Sequence, residues 1–157
     1  MKQPAPASTG FTLMEILTVI AISGVLLGIG IYWYSSARSN ALLNTTTDSI
    51  AAALESAKNN ALAGKNGLSY GVKFDTASYT TFVGASYSAG ASTNVTYPVD
   101  STLTLSETIT DPNNIIVFDR LTGAANTTAT VTVMLVSDNT NKRNIVIENQ
   151  GDVGVIQ

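Results

Sequence analysis

Apolar residues along this chain follow two different patterns, one after the other. Residues 16–34, ILTVIAISGVLLGIGIYWY, form an unbroken apolar run with no charge and only Thr18 and Ser23 clearly polar. A helix of that length spans about 28 Å, close to the thickness of a bilayer's hydrocarbon. Tyr32, Trp33 and Tyr34 close the run and Arg38 follows, the order expected where a membrane helix meets water and a long cation can snorkel. Beyond it the pattern becomes a stripe. Leu43, Ile50, Leu54, Ala57 and Ala61 recur at helical spacing, while Asp48, Glu55 and Lys58 fall off that face. Residues 51–54 are strong helix formers. Thr45, Thr46 and Thr47 are weaker, and a bend is expected there. Gly64 suits a helix C-terminus, where the left-handed conformation is needed. One helix from residue 12 to 63 would be about 78 Å long. No domain of this size buries such a helix entirely, so its first half is expected in lipid or against other subunits.

The rest of the chain reads as strands. Segments 68–75, 78–84, 101–107, 114–120, 130–137, 143–148 and 153–157 are rich in Val, Ile, Thr, Phe and Tyr, and are punctuated by Gly, Asn, Asp and Pro. The short spacings favour antiparallel pairing, since a parallel crossover needs a dozen residues or more. Residues 85–94, ASYSAGASTN, read as a loop. The expected fold is α+β: a long N-terminal helix, membrane-spanning in its first half, packed by its second half on an antiparallel sheet. The expected divisions are a membrane segment at 11–34 and a soluble domain at 35–157, the latter made of an amphipathic half-helix at 35–63 and a sheet at 68–157.

Composition narrows the chemistry. Charged residues make up 12% of the 157 positions, and the formal net charge is −3. That balance argues against nucleic acid as a partner, which would call for a basic face; Lys142-Arg143 is the only adjacent basic pair. There is no Cys, hence no disulfide framework, and no His, which removes the commonest general base and transition-metal ligand. Asp100, Asp111, Asp119, Asp138 and Asp152 fall in turn-like contexts, where Asp bonds to nearby backbone, and no dense calcium-loop pattern appears. No catalytic residue, metal site or cofactor is expected. Asn44, Asn94 and Asn126 meet the short glycosylation pattern, which often arises by chance. Gly24-x-x-x-Gly28 would let membrane helices approach closely, although glycine is common in such helices anyway.

The remaining feature is Gly10-Phe-Thr-Leu-Met-Glu15, placed between a short polar segment bearing Lys2 and the apolar run. Together these resemble the processing region of type IV prepilins and type II secretion pseudopilins. The resemblance implies that residues 1–10 are a leader, that prepilin peptidase cuts between Gly10 and Phe11, and that the new Phe11 amine is N-methylated. It also implies a structural subunit, not an enzyme. Such a subunit has its N-terminus on the cytoplasmic side of the inner membrane and its C-terminal domain outside. Its implied partners are prepilin peptidase, other pilin subunits, the inner-membrane assembly platform and the lipid bilayer. Glu15 is then an assembly residue. A carboxylate in a membrane helix is costly, and its natural partner is a Phe11 amine, its own or a neighbour's; a glutamate in the first helical turn also complements the helix dipole. An ordinary secretory signal could use Ser35-Ser36-Ala37 as its cleavage site, but the apolar run is too long and Glu15 sits badly at its lip.

Further along, Tyr70-Gly-Val-Lys-Phe, Ile115-Ile-Val-Phe with Gly123 after it, and Arg143-Asn-Ile-Val-Ile with Gly151 resemble minor pseudopilins of the GspH and FimT kind. Gly151 is followed by Asp152 where such chains often carry Arg. The proline often found late in the membrane stretch is absent, with Tyr32 about there; Gly24, Gly28 and Gly30 could soften the helix instead. The implied function is a minor pilin or pseudopilin of a type II secretion pseudopilus or type IV pilus. The alternative is a DNA- or surface-binding minor pilin of a competence or adhesion pilus.

Overall fold

The computed structural model describes residues 10–156. The chain divides into two compact units, one ending at Arg38 and the other beginning at Ser39. Helix α1 (Leu13–Leu62) contributes to both. In the first unit every described side chain from residue 10 to 38 is exposed, including Leu13, Ile16, Leu17, Val19, Ile20, Leu26 and Leu27.

In the second unit α1 carries the expected stripe. Leu43, Ile50, Leu54, Ala57 and Ala61 are all buried, and full burial of each Leu or Ile contributes about 1.5–3 kcal/mol. The stripe has a sixth member, Thr47, which is 1% exposed. Its hydroxyl donates to Leu43 O at 2.8 Å, so the polar atom is satisfied inside the helix. The helix runs unbroken through Thr45–Thr47, where weaker propensity suggested a bend. Thr45 and Ser49 likewise donate to the carbonyls of Ala41 and Thr45, and the hydroxyls follow the helix instead of breaking it.

The strands are β1 (Tyr70–Asp75), β2 (Ser78–Val83), β3 (Val95–Pro98), β4 (Leu103–Ile109), β5 (Ile115–Phe118), β6 (Ala129–Leu135), β7 (Asp138–Ile147) and β8 (Val153–Ile156). They form two four-stranded sheets, ordered β3-β2-β1-β5 and β4-β6-β7-β8, and every strand pairing within them is antiparallel. The expected sheet is therefore split in two. The α1 stripe, Val72, Phe74, Ile116 and Phe118 from one sheet, and Leu105, Val131, Val133, Ile145 and Ile147 from the other form one core. The sheets share no strand and are tied by the β1–β2 turn, whose Ala77 and Thr76 carbonyls accept from Val99 N at 2.9 Å and Leu105 N at 3.1 Å.

Two strand expectations shift. β3 was expected as part of no element: its four residues are all exposed and it ends in Pro98, as suits a short edge strand with no buried face to imprint a pattern. β7 begins at Asp138, five residues ahead of the expected Arg143. Its first half is polar and pairs through the backbone, with the register shifting between Met134 and Leu135.

The first sheet has a second buried face. Phe82, Ile115 and Val117 pack there with Tyr87 from the loop at 85–94, and the Phe82 ring lies over Gly71, its direct partner across β1 and β2. β5 is consequently buried at all four positions. Its outer edge is closed by Asn126, whose Oδ1 accepts from Val117 N at 2.8 Å and whose N–H donates to Val117 O at 2.9 Å.

The end of α1 explains three of the singled-out glycines. Gly64 takes φ 59° and donates to Ala61 O, the left-handed cap expected of it. Ala61 O also accepts from Leu121 N at 2.9 Å, which holds Leu121 at φ 69°. Behind this turn, a Cβ on Gly123 would meet Leu62 Cγ at 2.6 Å, and one on Gly151 would meet Gly123 O at 2.0 Å. Leu62, Gly123 and Gly151 are thus stacked with no room for a side chain between them. Gly151→Ala, strained both by φ 80° and by this clash, is expected to cost about 3 kcal/mol or more. Urea unfolding of the full chain in micelles measures it.

Candidate functional site

The start of α1 is built by Thr12. Its side-chain Oγ1 accepts from Glu15 N at 3.2 Å, and its carbonyl accepts from Glu15 N and Ile16 N. Thr12 is therefore the N-cap, and Thr12-Leu13-Met14-Glu15 has the spacing of a capping box. The sequence reading singled out Glu15 but missed Thr12; the signal available was Thr-x-x-Glu before an apolar run. Glu15 stands in the first turn, where its charge complements the helix dipole. Phe11 lies just before the cap and is 80% exposed. Gly10 is exposed as well, and the rest of the expected leader, residues 1–9, lies outside the described residues.

Gly24 and Gly28 have open space where a Cβ would stand. Trp33 and Tyr34 are exposed at the end of the apolar run. α1 is long and apolar enough to cross a membrane, and the described side chains of that apolar stretch are exposed. This exposed apolar surface far exceeds the few hundred Å² that soluble monomers commonly show.

In the second unit the aspartates behave as turn residues. Asp100, Asp111 and Asp138 each accept through Oδ1 from the backbone N–H two residues on, in Thr102, Asn113 and Thr140. Asp152, where Arg was the resemblance's usual residue, pairs with Lys58 of α1 at 2.8 Å; it is exposed, and such a pair contributes about 1 kcal/mol at most. Among the described residues, no three acidic side chains gather to hold a metal. Asn94 donates through Nδ2 to Ser88 O at 2.9 Å and Asn126 closes β5, so both amides are engaged in the fold; Asn44 is exposed on α1. Arg143 donates to Lys142 O at 3.0 Å with its Nε buried, and this basic pair presents no broad cationic face.

One carboxylate, Glu107, is held above its ordinary range. Glu107 on β4 accepts from Asn114 Nδ2 at 2.6 Å through Oε1, while its buried Oε2 has no partner among the described residues. Burial first, and then the nearby charge of Asp75, push its pKa up; Lys73, itself paired with Asp75, opposes this weakly.

A search of solved structures places this geometry. The minor pseudopilin EpsH from the type 2 secretion system of Vibrio cholerae superposes with a TM-score of 0.57 over 73% of this chain and 95% of its own, at 15% identity. The type IV minor pilin FimU of Pseudomonas aeruginosa superposes with a TM-score of 0.58 over 73% of this chain and 93% of its own, at 17% identity. The fold is pilin-like. No family model matches the sequence, and no curated protein matches it. The likeness lies in how a pilin-like helix packs on its sheets, for few residue identities carry it.

The Glu107 cluster yields a pH prediction. A raised folded pKa means that the folded state holds this proton more tightly than the unfolded chain. The resulting stability is present below the ordinary value of 4.5 and is lost as pH rises through the folded value. Glu107→Gln keeps the Oε1 acceptor and removes the charge. It is expected to raise the melting temperature at pH 7 and to leave it nearly unchanged at pH 4, as read by thermal melts at the two pH values.

Proposed function

We propose that this protein is a membrane-anchored minor pilin or pseudopilin, a structural subunit of a type IV pilus or a type II secretion pseudopilus. The carrying observation is a coincidence in one chain. A pilin-like fold follows an uncovered apolar helix that opens directly after Gly-Phe-Thr-Leu-Met-Glu. In this reading, prepilin peptidase cuts between Gly10 and Phe11, and Phe11 becomes the methylated N-terminus. The helix holds the subunit in the inner membrane with its N-terminus on the cytoplasmic side until the assembly platform moves it into the filament. The apolar segments then bundle, Gly24 and Gly28 allow close approach, and the sheet-bearing domains form the surface. The protein has no turnover of its own; its work is association.

Thr12 gives Glu15 two roles in this reading. Its backbone N–H is satisfied by the cap, while its carboxylate remains available to a protonated Phe11 amine, its own or a neighbour's. Cutting after Gly10 leaves the cap intact, since Thr12 lies on the mature side. Mass spectrometry of the membrane-extracted protein is expected to show a chain beginning at methylated Phe11. A chain beginning near Arg38, or retaining Met1, refutes the reading.

Glu15→Leu separates insertion from assembly. It removes a charge from an apolar segment, so membrane abundance holds or rises, and cleavage persists because Gly10 and Phe11 are unchanged. Co-purification with other filament subunits is expected to fall several-fold. Equal assembly of variant and wild type reduces Glu15 to a residue of the first helical turn.

A further inference from the structure

A groove of about 520 Å³ runs between one flank of α1 and the β2–β3 side of the first sheet, within the range of about 300–1,000 Å³ common to ligand sites. Its helix wall is made of small or neutral residues such as Ala52, Ser56 and Asn60, and its sheet wall carries Tyr79, Thr93 and Tyr97. Among the described residues, no Asp, Glu, Lys or Arg lines it. Tyr79 and Tyr97 stack across β2 and β3 with ring centroids 5.1 Å apart and planes at 17°. Tyr79 is only 6% exposed, lines the groove, and its hydroxyl bonds to no described residue. By contrast Tyr70, on the same sheet, uses its hydroxyl to bond Lys65 O and Asn66. A phenol hydroxyl that opens on the groove and is not used by the fold can donate to or accept from a ligand there.

We infer that this groove binds a neutral saccharide chain. Sugar C–H groups match the electron-rich face of the outer tyrosine, Tyr97, which is 42% exposed. Sugar hydroxyls donate to and accept from the Tyr79 phenol, the Asn60 amide and the Ser56 and Thr93 hydroxyls. A phosphate or uronate would be desolvated there against no cation. A purely apolar segment would bury the phenol and the amide unpaired. An added β-strand would meet an edge ending in Pro98, which has no N–H to offer. The inference goes beyond the subunit reading and does not depend on it.

The test is a titration of the full chain in lauryldimethylamine oxide micelles, whose headgroup is not a sugar, with malto-, cello- and chitohexaose and with an anionic hexagalacturonate. At least one neutral hexasaccharide is expected to bind and the hexagalacturonate is not. Tyr79→Phe, which keeps the ring and removes only the hydroxyl, is expected to weaken binding about tenfold. Tyr97→Ala, at an exposed edge where the fold tolerates change, is expected to abolish it. Glu15→Leu lies outside the groove and leaves binding unchanged, which separates a failure here from a failure of the assembly reading. The inference is overturned if no neutral hexasaccharide binds, if the anionic chain binds as well as the neutral ones, or if binding survives both tyrosine substitutions.

Discussion

The C-terminal unit depends on one contact: the stripe of α1 from Leu43 to Ala61 buried against both sheets at once. The sheets share no strand, and besides the β1–β2 turn that ties them their inner faces are joined by the one helix that lies against each. The stripe advances by alternating steps of four and three residues once Thr47 is included, which keeps one narrow face inward over five turns. Small residues at its end, Ala57 and Ala61, bring the backbone close to the sheets. That closeness forces the next constraint, the stack of Leu62, Gly123 and Gly151, in which two turns far apart in sequence touch through their main chains.

The same helix meets a different condition before Arg38. There the helix is apolar along its length, and its described side chains are exposed. A helix apolar all round is stable in lipid or among other apolar helices, and unstable in water. The start of the segment is prepared for that setting, because Thr12 satisfies an N–H of the first turn from within the chain. In lipid no water would do so. The one carboxylate of the segment, Glu15, stands in this first turn.

Charge is sparse, Asp100, Asp111 and Asp138 accept from turn backbone, and the half-buried Glu107 is held by Asn114. What remains outward is the apolar half of α1 and the tyrosine-walled groove. The first suits association with lipid and with similar helices, and the second suits a neutral ligand.

The sequence by itself determined the features that depend on neighbours along the chain. The apolar run, the buried stripe of α1, the cap at Gly64 and seven of the eight strands follow from periodicity and local propensity, which are written residue by residue. The Gly-Phe-Thr-Leu-Met-Glu segment is equally local, and even Thr12's cap had a sequence signal in its spacing to Glu15. Tertiary structure alone decided what depends on residues far apart. It split the strands between two sheets, since pairing is set by which faces the helix covers. It kept the helix unbroken through Thr45–Thr47, because burial of Thr47 outweighs weak propensity. It made a strand of Val95–Pro98, which has no buried face and takes its extended form from β2. It also set Tyr79 beside Tyr97 and opposite Asn60, a juxtaposition that no spacing in the chain encodes, because it arises only when the hairpin folds back across the helix.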